Sequence, residues 1–234
     1  MRGRFSLLVA VSVAALTVAA VAAARPTHRT IGDSAAQSTK SEQRHYTAAD
    51  QALARSVVLK VSDLGSASSW RGGISPAETS QPRSCPNFHP RQSDLVITGD
   101  VQSDFTQVTG SLQYHDEAQI MRNSKMVRLD WNRNVVNPAA ISCLRTFFVQ
   151  NLVADQHFVS LTRIPVPHFA TYTAGYRALV DQNGVRNMID VLFVGRDRTE
   201  LTFETSAPYA DHTKVEQSEL RLAKRLIARA PASS

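Results

Sequence analysis

From Thr47 onward the chain switches between two kinds of patterning, and each kind names an element. Leu53, Val57, Val61 and Leu64 recur at helical spacing behind Thr47 and Asp50, a Thr-x-x-Asp pair placed to cap a helix, and Gly65 closes the run. Residues 71–93 break every period. Rich in Gly, Pro, Ser and Arg, they read as a long loop that carries Cys85, with Trp70 just ahead of it. A strand-like stretch follows from Leu95 to Val101. A longer one, from about Gly110 to Met121, sets Leu112, Tyr114, Ala118 and Ile120 on even positions, the pattern of a strand with one buried face. Ser124 is placed to cap a helix on which Val127, Trp131 and Val135 align. Asn137-Pro138 opens another, with a capping amide followed by proline at the first helical position. Its stripe is Ile141, Leu144, Phe148 and Leu152, and Cys143 lies beside it.

The remainder reads as a meander. Strands are predicted at Gln156–Ile164, Thr171–Val180, Val185–Val194 and Thr199–Thr205. Asn183-Gly184 and Gly195-Arg196-Asp197 are the tight connections between the last three. A closing helix runs from about Asp211 to Arg229 with Val215, Leu222 and Leu226 inward. Helices and strands do not alternate regularly, so the expected fold class is α+β, not doubly wound. The expectation is a mostly antiparallel sheet with an N-terminal helix, two central helices and a C-terminal helix packed on one face. There is no internal repeat.

Ahead of this domain the patterning is of another kind. Arg2 and Arg4 precede an 18-residue apolar run, Leu7 to Ala24, that ends in Ala22-Ala23-Ala24 before Arg25. This is the layout of a secretory signal peptide, residues 1–24, with an A-x-A cleavage site. An uncleaved leader of this length sits at the lower limit for a membrane anchor, which would be the chain's sole membrane contact. Residues 25–46 are polar and aperiodic and read as a flexible tether. Residues 47–230 form a single α+β domain. The predicted location is secreted, in the bacterial cell envelope or beyond it.

Export changes the reading of the cysteines. The chain has two, Cys85 and Cys143, and in an oxidising compartment one bridge pins the long loop to the helix. Neither lies in a Cys-x-x-Cys pair or beside a histidine in sequence, so redox use has no motif behind it. The formal charge is +6, or +4 once Arg2 and Arg4 leave with the leader. Its densest cluster, Arg221, Lys224, Arg225 and Arg229, suits the negative end of the last helix. No concentrated basic stripe points to nucleic acid.

Candidate chemistry is sparse. The seven histidines, His28, His45, His89, His115, His157, His168 and His212, form none of the paired spacings of a zinc site. There is no Gly-x-Ser-x-Gly elbow and no phosphate-cradling glycine pattern. Asp100 with Asp104, and Asp116 with Glu117, read as solvated charges on strands. No catalytic, cofactor or metal residue is assigned. Trp70, Tyr172 and Tyr176 are the candidate ligand-facing aromatics, the two tyrosines sharing parity on one strand.

Some local patterns carry a likeness. The first helix followed by Asp63-Leu64-Gly65 and Trp70 resembles the helix–Asp-Leu-x-x-Gly-Trp entry of actinobacterial envelope proteins. A strand feeding directly into a helix, Ala118 to Trp131, and the cysteine-bearing Ser142-Cys143-Leu144 add to it. Together they are similar to secreted domains related to the extracytoplasmic sensor domain of mycobacterial serine/threonine kinases. PsbP-like or Mog1-like secreted domains are a looser likeness. The kinase sensor domain has two disulfides where this chain has cysteines for one, and no ligand-contacting residue carries over. The resemblance implies an extracytoplasmic α+β domain with a ligand-sensing or binding role.

The leading functional expectation is therefore a non-enzymatic binding or sensor-like domain. Its partner would be a small molecule, lipid or envelope polymer held between the sheet and a helix or loop. An envelope hydrolase with a catalytic set dispersed in sequence, and a structural interaction protein, are the alternatives.

Overall fold

A long sheet organises the chain. The computed structural model describes residues 42–77, 85 and 88–232. The leader, residues 25–41 of the tether and most of residues 78–87 lie outside the described residues. The strands are β1 (Gln43–Arg44), β2 (Trp70–Pro76), β3 (Val96–Gln107), β4 (Gln113–Met121), β5 (Gln156–Ile164), β6 (Tyr172–Gln182), β7 (Val185–Arg196) and β8 (Thr199–Pro208). They are ordered β1-β3-β4-β8-β7-β6-β5, and β2 also pairs with β3. Every pairing is antiparallel except β1 with β3. β1 takes the start of β3 at Val96 and Ile97, and β2 takes its later part from Val101 to Gln107.

The helices are α1 (Ala48–Val57), α2 (Ser124–Asp130), α3 (Pro138–Gln150) and α4 (His212–Ile227). The α+β class stands, but the single helical layer does not: the helices divide between the two faces. Ala54 and Val57 of α1, with Leu222, Ala223 and Leu226 of α4, pack on Val101, Phe105, Tyr114, Ala118, Leu192 and Phe203. Val127 of α2, Trp131 and Phe148 of α3 cover the opposite face, against Met121, Ala174, Tyr176, Ala178 and Val191. The reason lies in β7. Val191-Leu192-Phe193-Val194 is apolar at both parities, so both of its sides need covering.

Several element ends moved for local reasons. α1 stops at Val57, not near Leu64: Val58 is extended at ψ 159°, and the Leu59 N–H donates to the Asp116 carboxylate at 3.0 Å. A tertiary hydrogen bond thus outcompetes helical periodicity, and Val61–Asp63 form a short 3₁₀ turn instead. Asn123, not Ser124, caps α2, accepting from the Met126 N–H at 3.1 Å. α2 runs straight into a π turn, Trp131–Val135, and Asn137 then caps α3 by accepting from the Ala139 N–H. β2 occupies part of the expected loop. Its Gly-Gly and Pro residues suit an edge position, where one side of the backbone needs no partner. The end of the expected tether is tied down as well: Gln43 N–H donates to Leu95 O at 3.0 Å and His45 N–H to Ile97 O at 2.8 Å.

Two features lock α1 to the sheet. At Gly99 the backbones touch so closely that an added Cβ would lie 2.3 Å from the Asp50 carbonyl oxygen. Arg198, on the β7–β8 turn, reaches Asp50 at 2.7 Å. The β6–β7 hairpin turns on Asn183 (φ 51°) and Gly184 (φ 78°), both left-handed as a type I′ turn requires. Cys85 and Cys143 are disulfide-bonded, fastening residue 85 to α3. No helix among the described residues is long and apolar enough to cross a membrane.

Candidate functional site

A pocket of about 420 Å³ opens where the start of β2 and the start of β4 meet α4. Its sheet side is aromatic. The Trp70 ring stacks on Tyr114 with centroids 5.5 Å apart, and Tyr114 leans on Phe203 behind it, also at 5.5 Å. Both rings are held by their polar ends. The Trp70 indole N–H donates to Leu64 O at 3.2 Å, and the Tyr114 hydroxyl lies 3.0 Å from the Ser218 hydroxyl, which donates to Val215 O. Burial raises the pKa of the Tyr114 phenol, so it stays a neutral hydrogen-bonding group. Leu64, Leu112 and Leu222 complete the apolar lining.

The other side is cationic. Asp63, Arg221 and Arg225 line it. Asp63 is largely satisfied: it accepts from the Lys60 N–H at 3.0 Å, pairs with Arg229 and lies 3.5 Å from Arg225. Arg229 is consumed by that pair and by the carbonyls of Ser56 and Val58. The Arg221 side chain makes no hydrogen bond or ion pair among the described residues and is exposed. The pocket therefore offers a flat apolar wall and surplus guanidinium at its mouth. Among the described residues no three acidic, histidine or cysteine side chains are grouped to hold a metal ion.

Beneath α4, next to this pocket, runs a buried polar network. Arg177 donates twice to Asp190, at 2.7 and 2.6 Å, and once to Glu216 at 3.3 Å. Glu219 is completely buried, and the polar groups it faces are Asp190 and Thr205. Burial first, and then the Asp190 charge, raises the Glu219 pKa to about 9, so this acid is protonated at neutral pH. On the same face Asp116 accepts from the Ser103 hydroxyl and from Leu59 N–H, and burial still raises it to about 7. Asp116 and Asp100 are thus not solvated charges, since their exposures are 0% and 2%.

The three candidate aromatics do not meet. Trp70 lines the α4 pocket. Tyr172 lies on the opposite face, its ring tilted against Trp131 with centroids 5.2 Å apart, and edges a shallow polar groove with Lys125, Arg128 and Asp197. Tyr176 is 2% exposed and donates its hydroxyl proton to Val135 O at 2.9 Å, a core residue under the π turn. The face that carries both tyrosines is covered, since Trp131, Ile141 and Leu144 pack against them. Imidazoles approach hydroxyls at Thr173–His168 (3.5 Å) and Thr213–His212 (3.3 Å), and neither pair lines the pocket.

No family model matches this sequence, and no curated protein matches it. Among solved structures it is similar to the extracellular domain of PknH from Mycobacterium tuberculosis. The identity is 10% and the TM-score 0.46, over 76% of this chain and 96% of that one. It is also similar, at TM-score 0.30 and 10% identity, to PA94, a protein of unknown function from Pseudomonas aeruginosa. That match spans 70% of this chain and 99% of the other.

Proposed function

We propose that this chain is a secreted, non-enzymatic binding domain that holds a small amphipathic anion in the pocket under α4. The observation that carries the reading is the pairing of opposite demands in one cavity. The stacked Trp70–Tyr114 wall favours a ring or hydrocarbon body, while Arg221 and Arg225 at the mouth favour a negative group. The volume, about 420 Å³, falls in the range of small-molecule sites. Location outside the cytoplasm is supported by the Cys85–Cys143 bridge, because such bonds persist in oxidising compartments.

Native mass spectrometry of protein from its own secreting host tests the reading. The expected result is a co-purifying anion, bound by the native chain and lost from Trp70→Ala and Arg221→Glu variants that remain folded. The same spectrum reports leader removal and cysteine oxidation. A ligand-free native protein, or a ligand retained equally by both variants, would overturn the assignment of this pocket.

A further inference from the structure

On the face away from α4, at the end of the sheet where β7 turns into β8, a groove of about 220 Å³ draws side chains from three parts of the chain. Its lining is Ser124, Lys125 and Arg128 of α2, Thr171 and Tyr172 at the entry to β6, and Asp197 of the β7–β8 turn. Helical residues three and four apart are neighbours, so Lys125 and Ser124 both stand beside Arg128. The two cations are exposed, and neither side chain makes a hydrogen bond or ion pair among the described residues. The one acid of the helix, Asp130, accepts from the Asn134 amide and leaves them unbalanced.

The aromatic edge of the groove is held firmly. The Tyr172 ring is tilted against Trp131 and lies over Gly195, where an added Cβ would come 3.0 Å from a ring carbon and 3.3 Å from Val127. Gly195 thus clears the space that the ring needs. Asp197 takes a left-handed turn conformation (φ 50°) at the rim. The mixture of groups is selective. Guanidinium and ammonium pair with phosphate oxygens, and the Ser124 and Thr171 hydroxyls supply further donors. A carboxylate repels phosphate, but it accepts from the hydroxyls of a carbon skeleton, with lone pairs for several donors. A site for bare phosphate has no use for Asp197; a site for phosphate joined to a polyol does.

We propose that this groove binds a phosphate ester of a small polyol. Lys125, Arg128 and the two hydroxyls surround the phosphate, Asp197 takes the polyol hydroxyls, and Tyr172 lies against the carbon chain. The volume is below that of sites for drug-sized molecules and suits a ligand the size of glycerol phosphate. The groove shares no residue with the pocket under α4, so the two assignments stand or fall separately. The same chemistry is offered by a free ester and by the glycerol phosphate headgroup of an anionic lipid.

The test titrates glycerol 3-phosphate, and separately inorganic phosphate, into the isotope-labelled processed protein at low salt, followed by amide chemical shifts. Saturable shifts are expected at residues 124–128, 171–172 and 195–198, with the ester bound more tightly than phosphate. Lys125→Gln and Arg128→Gln, both at exposed positions and expected to melt with the native protein, should weaken ester binding roughly tenfold. Asp197→Asn should weaken the ester and strengthen inorganic phosphate, whereas an unspecific basic patch would gain affinity for both. Sedimentation with phosphatidylglycerol but not phosphatidylcholine vesicles, lost in Arg128→Gln, would assign the source to a lipid headgroup; binding of the ester without vesicle binding would assign it to a soluble one. Absence of both, equal affinity for ester and inorganic phosphate, or shifts centred on α4 would overturn the proposal.

Discussion

Replacing Glu219 with glutamine should stabilise this protein, and by an amount that grows with pH. Glu219 sits on α4 with no exposed surface, and it faces Asp190 and Thr205. Its folded-state pKa, about 9, lies far above the value of roughly 4.3 for an unfolded glutamate. The sign follows from proton counting. Below about pH 4 both states hold the proton and folding loses nothing. Above that the unfolded chain releases the proton and the native chain keeps it, so stability falls by about 1.4 kcal/mol per pH unit until the folded group itself ionises. Glutamine has nearly the same shape, can donate to Asp190 and does not titrate. Other buried acids, Asp116 among them, are common to both proteins and cancel in the difference.

Urea unfolding of the native protein and Glu219→Gln at pH 5, 6, 7 and 8 reads the effect directly. Between pH 5 and pH 7 the stability gap should widen by about 2.7 kcal/mol. In melting temperature that is roughly 5–11 °C for a domain of this size. Parallel pH profiles for the two proteins would refute the reasoning, because they would mean that Glu219 carries the same charge folded and unfolded.

Two further perturbations act on the scaffold. Substituting both Cys85 and Cys143 by serine opens a loop of 58 residues and should lower stability by about 4 kcal/mol, measured by urea unfolding; a loss under about 1 kcal/mol would mean that the bridge constrains little. Gly99→Ala places a methyl 2.3 Å from the Asp50 carbonyl oxygen, backbone against backbone, so it should cost on the order of 1–3 kcal/mol and speed amide exchange in the first turn of α1.

What the sequence disclosed depended on how local the deciding force was. Asn137-Pro138 and the Asn183-Gly184 turn act within a few residues, and both appear in the structure as read. The strand Gln156–Ile164 matches its predicted bounds. The end of α1 was missed because the Leu59 N–H is claimed by Asp116, 57 residues away. β2 was missed because its Gly-Gly-Ile-Ser-Pro sequence has no strand pattern of its own and pairs with β3 along its whole length. The second helical layer was announced by the doubly apolar Val191–Val194 run, a signal read only as a strand.

The pocket was half legible. Trp70 and the nearby Asp63-Leu64 were in view, but Tyr114 and the α4 residues that close the pocket lie more than forty residues beyond, and no spacing connects them. The buried acids had a readable clue in one case. Asp116 shares even parity with Tyr114, Ala118 and Ile120, so the burial assigned to that face applied to Asp116 too.

The tandem placement of β1 and β2 bears on self-association. Together they occupy much of one rim of the sheet, while no described strand lies outside β5 at the other. Both flanks therefore end in a strand with an unpaired side, but on the β1–β2 rim the edge is broken up: β1 is two residues long, and β2 carries Gly72, Gly73 and Pro76, which make it a poor template for a further strand. Trimming the chain past Arg44 would bare the start of β3 and remove part of that safeguard.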